Sequence, residues 1–450
     1  MNKIKAMLIS IAMITISVNS GFCASLDSLI HKSELNKTST IAVSVKDAKS
    51  GRVVYQYNQH KLMNPASVLK IFTMNSAYVQ LGNDFAYETA VYADKNNNLY
   101  LKLSADPSLT TGTLCALLKN VKDNYKKPVK DIVIDPTVID NKQWGIGWMW
   151  DDDTNKLLPK YSPFSVNENK IDITIEPAKN GRMPQIRNNS PYHMMLVNKI
   201  TNGNTDNLIY ERMPWNSGDM TFISGNIKGI VKTQLPVDSP ERHFVNILEK
   251  SLSRSGIKYT GSIKIAAVPS GVNKIAHISS QPLDILIGET LKNSNNFYSE
   301  MIFKTAAANY TKSQGTTEDA VEMLNKHFSD VKSSDKVIIV DGCGISRNDL
   351  LTADWATAAL NKIYKQKDSE NFINLMAKPV EGTLSDRLLN ISLKVRAKTG
   401  TASGISSIAG YIDTKSKKKY SFAIFIQNHN MPAVEVKRFE DSLINEIYKM

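Results

Sequence analysis

The 450 residues are enough for two or three domains, and 42% hydrophobic with 22% charged residues is ordinary for a soluble globular protein. A formal net charge of +12 would draw an exported protein to anionic envelope polymers or lipid surfaces. A solvated lysine-rich surface explains the same charge more simply, and the charge alone does not indicate nucleic-acid binding.

The N-terminus has the pattern of a secretory signal peptide. A basic "MNKIK" precedes the short apolar run Ala6–Val18, and the small residues of "NSGFCAS" follow. We expect residues 1–24 to be removed, with the cleavage site left open, which lowers the formal charge to +10. Because no later stretch is long and apolar enough to span a bilayer, the sequence predicts a periplasmic or exported protein, soluble after processing, with at most peripheral membrane association.

The next elements are a β-hairpin, a helix and a series of short strands. "TIAVSVKDAKSGRVVYQYN" predicts the hairpin, and "NPASVLKIFTMNSAYVQL" predicts a helix after the Asn64-Pro65 boundary. From about residue 85, runs such as "ETAVYA", "NLYLKL", "KDIVIDP" and "KIDITIEP" alternate with Asn, Asp, Gly and Pro. One helix is predicted late in this region, at "RHFVNILEKSLSRSG".

Helices and then strands dominate the last third. "LDILIGETL" and "NFYSEMIFKTAAANY" predict two helices, "LKVRAKTG", "SSIAGYIDT" and "YSFAIFIQN" predict three strands, and the final segment predicts a helix that packs on them. The chain is therefore predicted to be an α/β domain formed by residues 25–84 and 275–450, with a β-rich insertion over 85–274.

A Ser-x-x-Lys pair stands at the start of the first long helix. The pattern occurs five times, at Ser67, Ser255, Ser329, Ser333 and Ser416. Only Ser67 opens an apolar helix, where Lys70 shares its face and the helix dipole favours developing negative charge. A serine hydroxyl needs a base to become a nucleophile, and a lysine with a lowered pKa can be that base.

Two further polar motifs follow in order. Ser294-Asn295-Asn296 lies between two predicted helices, where a second hydroxyl could carry a proton and an amide could hold a lysine. Lys398-Thr399-Gly400 ends a predicted strand, and a cation beside a hydroxyl suits a substrate carboxylate. Alone, a Ser-x-Asn motif is more often a capping turn, and a Lys-Thr-Gly motif is as readily a strand that leads into a turn.

The order of the three motifs resembles the signature of penicillin-binding proteins and serine β-lactamases. Ser294 follows Ser67 by 227 positions, and "ADPSLT", "GWMWDDD", "DGCGISRNDL" and "EGTLSDRL" also look familial. The whole mature chain is similar to the class C low-molecular-mass penicillin-binding proteins, the D-alanyl-D-alanine carboxypeptidase/endopeptidase family. The sequence departs from the family at Cys343 and Ala105, which are not core catalytic positions.

The resemblance implies a transpeptidase-like domain, an antiparallel sheet flanked by helices, with a two-domain insertion whose inner part spans roughly 165–235. It implies a DD-peptidase that acts on peptidoglycan stem peptides and is inhibited covalently by β-lactams. The implied roles are Ser67 as nucleophile, Lys70 as base, Ser294 as proton relay, Asn296 as orienting group, Lys398 and Thr399 as carboxylate ligands, the N–H groups of Ser67 and Thr401 as oxyanion hole, and Asp152 as a partner for a substrate amine. Gly400, which has no side chain, would let a bound chain approach the strand edge.

Other site classes find little support in the sequence. The seven histidines lack the spacing of a zinc site, and no Gly-x-Ser-x-Gly elbow or phosphate-binding glycine loop occurs, so neither a metal nor a cofactor is predicted. Two alternatives stay open, a β-lactamase and a non-catalytic peptidoglycan-binding protein of the same fold.

Overall fold

The computed structural model describes residues 23–178, 182–212 and 220–450. The predicted signal peptide therefore lies outside the described residues, apart from Cys23 and Ala24. Among the described residues, no helix combines the length and the apolar character needed to cross a membrane. The chain forms two compact units, and the domain bounds predicted from the sequence stay a prediction. The first unit comprises the described residues up to Asn75 with Gly288–Ser294 and Leu324–Met450, and the second comprises the remainder.

The first unit is built on a five-stranded antiparallel sheet. Its strands, in spatial order, are β14 (Val395–Ala402), β15 (Ile405–Asp413), β16 (Lys419–Gln427), β1 (Thr40–Asp47) and β2 (Val53–Tyr57). The hairpin predicted near residue 50 and the three predicted C-terminal strands are confirmed. The antiparallel sheet expected from the family resemblance is present.

Side chains along each strand alternate between the two faces of this sheet, and helices cover both faces. Ile41 and Val43 point toward helix α1 (described over residues 23–32) and helix α11 (Ala433–Lys449), in one apolar core. Ser44 points to the other face, where its hydroxyl lies 2.8 Å from the Thr357 hydroxyl of helix α9 (Ala353–Tyr364). The remaining helices of this unit are short: α2 (Leu35–Thr38) and α10 (Ser369–Leu375).

The segment that carries Ser67 is tighter than the predicted helix. Residues Ala66–Leu69 form a 3₁₀ turn, and the α-helix α3 begins only at Lys70 and runs to Leu81. Ala66 has a φ of +44°, which an L-residue adopts only under constraint. The Asn64 side-chain oxygen accepts from the Ala66 N–H at 2.9 Å, and this bond stabilises the strained entry.

The second unit contains a mixed sheet with two helices packed on it. The sheet has the order β12 (Ile263–Ile265), β5 (Ile132–Asp135), β4 (Leu99–Lys102), β3 (Glu88–Ala93) and β13 (Asn273–Ser279). Helices α4 (Thr111–Asn124) and α5 (Pro240–Arg254) bury leucines and isoleucines in a shared core with these strands. Helix α5 confirms the predicted late helix, and Ser239 caps it by accepting from the Arg242 N–H.

A separate apolar core within the second unit lies between two three-stranded sheets. One sheet has the order β8 (Met195–Asn202), β10 (Met220–Ile227) and β9 (Asn207–Arg212), and the other has β11 (Val231–Pro236), β6 (Lys170–Glu176) and β7 (Gln185–Asn188). Helix α7 (Asn296–Thr311) also belongs to this unit. Helices α6 (Leu283–Asn293) and α8 (Thr317–His327), like α3, contribute residues to both units.

Candidate active site

Ser67 and Lys70 are hydrogen-bonded neighbours in the first unit. The Lys70 ammonium donates to the Ser67 hydroxyl at 2.9 Å and to the backbone carbonyl of Cys343 at 2.7 Å. Lys70 is fully buried, whereas Ser67 keeps 8% of its surface exposed. Ser67 therefore keeps a small accessible surface, and the Lys70 amine beside it is shielded from water.

The Cys343 carbonyl is held by a loop that sequence reasoning did not single out. The Asp341 carboxylate accepts hydrogen bonds from four backbone N–H groups, those of residues 343 to 346, at distances of 2.6 to 3.1 Å. The Thr73 hydroxyl adds a bond to the Gly342 carbonyl at 2.7 Å. This nest fixes the direction of the carbonyl that Lys70 contacts. An Asp-Gly turn inside "DGCGISRNDL" is the signal that could have pointed to it.

Ser294 and Lys398, which lie far apart in sequence, form a second amine–hydroxyl pair. The Lys398 ammonium donates to the Ser294 hydroxyl at 2.9 Å and to the Thr399 carbonyl at 2.7 Å. Ser294 follows helix α6 in a left-handed conformation with a φ of +61°. Burial, and then the positive charge of Lys70, hold the pKa of Lys398 well below its usual range. Because Lys70, the partner of Ser67, is close enough to lower the pKa of Lys398, the two amine–hydroxyl pairs are neighbours.

The strand that carries the third motif packs directly against the Ser67 turn. An added Cβ at Gly400 would lie 2.2 Å from the Ser407 hydroxyl and 2.8 Å from the Pro65 carbonyl oxygen. Only glycine fits this approach. The Thr399 hydroxyl donates to the Thr383 hydroxyl at 2.8 Å, and Thr383 is a further residue that sequence reasoning did not select.

Strand β14 also leaves a backbone edge open. It is the terminal strand of its sheet, apart from an isolated bridge between Ala377 and Ala397 near its start. Thr401, near the end of β14, is exposed. A peptide can add to such an edge through main-chain hydrogen bonds.

The remaining predicted site residues lie in the second unit. Asn296 begins helix α7, is 7% exposed, and donates its amide to the Leu157 carbonyl at 2.9 Å. Its neighbour Asn295 caps that helix by accepting from the Tyr298 N–H at 3.0 Å. Asp152 is half-buried in a 3₁₀ turn over Trp150–Thr154.

One cluster in the first unit has side chains of the type that could hold a metal ion. His60, Asp335 and Asp354 bring ligand atoms within 4.8 Å of one another. Asp354, however, lies 2.7 Å from the Lys46 ammonium, and Asp335 accepts from the Thr352 hydroxyl at 2.6 Å. These partners fit an ion pair and a hydrogen bond better than a metal site.

The first unit thus places two hydroxyls beside two buried amines, next to a glycine-lined strand edge. Such a set can activate one hydroxyl as a nucleophile, deliver a proton through the other, and hold an extended chain that ends in a carboxylate.

Comparison with known proteins agrees with this chemistry. Residues 22–444 match the sequence model of the D-Ala-D-Ala carboxypeptidase 3 (S13) family. A Haemophilus influenzae protein named D-alanyl-D-alanine carboxypeptidase DacB is 25% identical over 92% of this chain and 92% of its own length. The crystal structure of penicillin binding protein 4 (dacB) from the same organism has a TM-score of 0.84 at 24% identity, over 94% of this chain and 99% of that one. Its complex with a novel beta-lactam has a TM-score of 0.80 at 22% identity, over 94% and 99%. The chain therefore belongs to the D-Ala-D-Ala carboxypeptidase 3 (S13) family.

Proposed function

We propose that this member of the D-Ala-D-Ala carboxypeptidase 3 (S13) family is an exported serine DD-peptidase. It cleaves the D-alanyl-D-alanine terminus of peptidoglycan stem peptides, D-alanyl cross-links between them, or both, through an acyl-enzyme on Ser67. The observation that carries the proposal is the 2.9 Å bond between the fully buried Lys70 ammonium and the Ser67 hydroxyl. A shielded amine in contact with a hydroxyl is the arrangement that serine activation by lysine requires.

Acylation follows from the two amine–hydroxyl pairs. In its neutral form, Lys70 takes the Ser67 proton as the Ser67 oxygen attacks the carbonyl of the penultimate D-alanine. Ser294 accepts a hydrogen bond from Lys398, so its own proton is available for the departing amine. Repulsion between two nearby buried ammonium groups favours the state in which only one of them is charged. Lys398 or Lys70 then resupplies the proton that Ser294 has given up.

Substrate recognition uses the Lys398–Thr401 strand. The Lys398 ammonium and the Thr399 hydroxyl bind the terminal carboxylate. The Thr399 hydroxyl donates to Thr383 in the free protein and turns this donor to the carboxylate when substrate binds. Gly400 lets β14 pack closely against the Ser67 turn, and the peptide lies along the edge of β14. The N–H groups of Ser67 and Thr401 stabilise the oxyanion as the tetrahedral intermediate forms. Water then releases the acyl group from Ser67.

Two roles belong to residues of the second unit. Asn296 orients Lys70 and the substrate, as the family resemblance implies, and its buried position at the start of helix α7 supports a fixed side chain. Asp152 meets the free amine of the stem peptide's diamino acid. A half-buried carboxylate in the acidic "WDDD" turn supports that assignment.

A time course with labelled penicillin tests the proposal. Wild-type protein should form a long-lived adduct, Ser67→Ala should form none, and Ser329→Ala, which alters another Ser-x-x-Lys serine, should behave as wild type. Rapid turnover of the penicillin would identify a β-lactamase instead. If folded wild-type protein forms no adduct, the catalytic proposal is wrong and a non-catalytic peptidoglycan-binding role remains.

Digestion of purified muropeptides then separates the two peptidase activities. Loss of a terminal D-alanine from monomeric stems reports carboxypeptidase activity, and conversion of cross-linked dimers to monomers reports endopeptidase activity. Export is tested separately, by assaying periplasmic and cytoplasmic fractions for the processed chain. Full-length protein confined to the cytoplasm would contradict it.

A further inference from the structure

A large polar cavity lies entirely within the second unit. Its volume is about 730 Å³, which is in the range of sites that hold small ligands. Polar side chains dominate its lining, which comes from the loop around Thr110, the segment 167–172, the loop 189–191, the C-terminal half of helix α5 and Tyr298. Such a lining fits a ligand rich in amide, hydroxyl and charged groups.

The charges in this cavity leave an excess of positive charge. Lys250 and Arg254 line it from successive turns of helix α5, both are exposed, and neither has an ion-pair partner among the described residues. Two like charges at this spacing repel each other. Glu168 lies 2.9 Å from the Lys170 ammonium, and Asp172 accepts from the Gln234 amide at 2.9 Å but keeps its charge, so three cations face two carboxylates and the lining has a net charge of +1. The unmatched cations therefore favour an anionic ligand.

One wall of the cavity is a strained turn. Asn167, Glu168 and Asn169 all have positive φ values, of 51°, 51° and 52°, which are costly for residues with a Cβ. The Asn167 side chain holds the turn against Thr111, which also lines the cavity, donating to its hydroxyl at 2.8 Å and accepting from its N–H at 2.9 Å. Strain that the surrounding structure maintains in this way is typical of functional segments.

The strained turn also contacts the second motif of the candidate active site. Glu168 accepts from the Asn295 amide at 3.2 Å, and Asn295 caps the helix whose first residue is Asn296. Tyr298, in the first turn of that helix, lines the cavity. A ligand in the cavity would therefore bind beside the residues that fix Asn296.

We propose that this cavity is a second substrate subsite, which binds a carboxylate-bearing peptide segment of peptidoglycan outside the bond being cleaved. Lys250 and Arg254 hold the carboxylate, and the amide and hydroxyl side chains of the lining bind the peptide groups. The proposal rests on the proposed DD-peptidase function. It makes the protein selective for large, cross-linked muropeptides over short D-alanyl-D-alanine peptides.

The test compares two charge-reversed variants of the full chain. Lys250→Glu/Arg254→Glu alters the cavity, and Lys119→Glu/Lys122→Glu alters two exposed lysines in the C-terminal half of helix α4, outside the cavity lining. Both variants lose two positive charges near a helix C-terminus, so they share the same unfavourable change with the helix dipole. Each is assayed with labelled penicillin, a short acyl-D-alanyl-D-alanine peptide and purified cross-linked muropeptide dimers.

We expect the cavity variant to lose about 10- to 100-fold in kcat/KM for the dimers, mainly through KM, because each lost charge-assisted contact weakens binding by about tenfold. Its penicillin acylation and short-peptide hydrolysis should stay within about twofold of wild type, as should all three activities of the α4 variant. Unchanged dimer kinetics, an equal loss on all three compounds, or an equal loss in the α4 variant would each overturn the proposal.

Binding of the dimers in a Ser67→Ala background separates this proposal from the catalytic one. The cavity substitutions should weaken the dissociation constant in that background by the same factor as they raise KM. Failure of wild-type protein to react with penicillin would refute the DD-peptidase function, whereas equal dimer affinity with and without the cavity substitutions would refute the subsite alone.

Discussion

Replacing Asp341 by asparagine should weaken the first unit and slow acylation of Ser67. The Asp341 carboxylate accepts two N–H bonds on each oxygen. An asparagine keeps one oxygen and turns an amide toward the other two N–H groups. Leaving two buried donors unsatisfied costs about 2 to 6 kcal/mol. For a unit of this size, we expect a fall of roughly 4 to 24 °C in the thermal midpoint.

The effect on activity follows from the position of Cys343. Its carbonyl oxygen lies 2.7 Å from the Lys70 ammonium, and the Asp341 nest sets its direction. A displacement of about 1 Å at a catalytic group can cost about 100-fold in rate. We therefore expect the second-order rate of penicillin acylation to fall by about that factor, measured by stopped flow at a temperature where melting curves show both proteins folded.

Asp354→Asn is the matched control. Asp354 is also buried and lies 2.7 Å from the Lys46 ammonium, so its replacement should destabilise the same unit without touching the Cys343 loop. Its acylation rate should stay within about twofold of wild type. A wild-type rate in folded Asp341→Asn, or an equal loss of rate in Asp354→Asn, would refute the reasoning.

Three further predictions concern residues of the first unit, with Gly82 of the second unit as a comparison. Lys398→Met should abolish acylation yet raise the thermal midpoint at pH 7, because burial and a neighbouring lysine charge lower the pKa of Lys398. The cost of burying the Lys398 charge is full below the lowered pKa and is relieved as pH rises toward the ordinary lysine pKa. The difference in thermal midpoint between Lys398→Met and wild type should therefore shrink as pH rises. A difference that grows with pH would contradict this. Gly344→Ala should lower both the thermal midpoint and the acylation rate, since its Cβ would lie 2.0 Å from a backbone carbonyl oxygen. Gly82 has a similar φ but no atom within 4 Å of its Cβ position, so Gly82→Ala should lower the thermal midpoint alone. The buried thiol of Cys343 should resist iodoacetamide in the native protein, and Cys343→Ser should acylate at the wild-type rate; rapid inactivation by the reagent would count against both expectations.

Periodic patterns predicted most of the regular structure. The amphipathic repeat in the last segment predicted helix α11, and its Val436, Leu443 and Ile447 side chains are indeed buried against the sheet. The alternation and apolar runs of β15 and β16 were equally clear because a sheet covered on both faces buries nearly every side chain. Such signals are local, so the sequence alone carries them.

The tight turns could not be predicted because they depend on distant partners. The 3₁₀ turn at Ser67 is held by the approach of β14, and the sequence around Ser67 reads as an ordinary helix start. The bond between Ser294 and Lys398 joins residues that only the folded chain brings together. The Asp341 nest acts through a backbone carbonyl, which no side-chain pattern reveals. The catalytic roles of these residues and of Asn296 stay predictions.

The order of strands in the first sheet sets when the nascent protein can become active. Strand β1 lies between β2, which follows it directly, and β16, which ends at Gln427. At ribosomal rates of about 5 to 20 residues per second, roughly 20 to 75 s separate the synthesis of β1 from that of its second partner. One edge of β1 lacks its partner strand during that interval, and an unpaired strand edge is prone to associate with other chains. Ser67 is translated early, but Lys398 and the closing strand arrive in the last eighth of the chain, so ribosome-bound intermediates carry the nucleophile without a working peptidase.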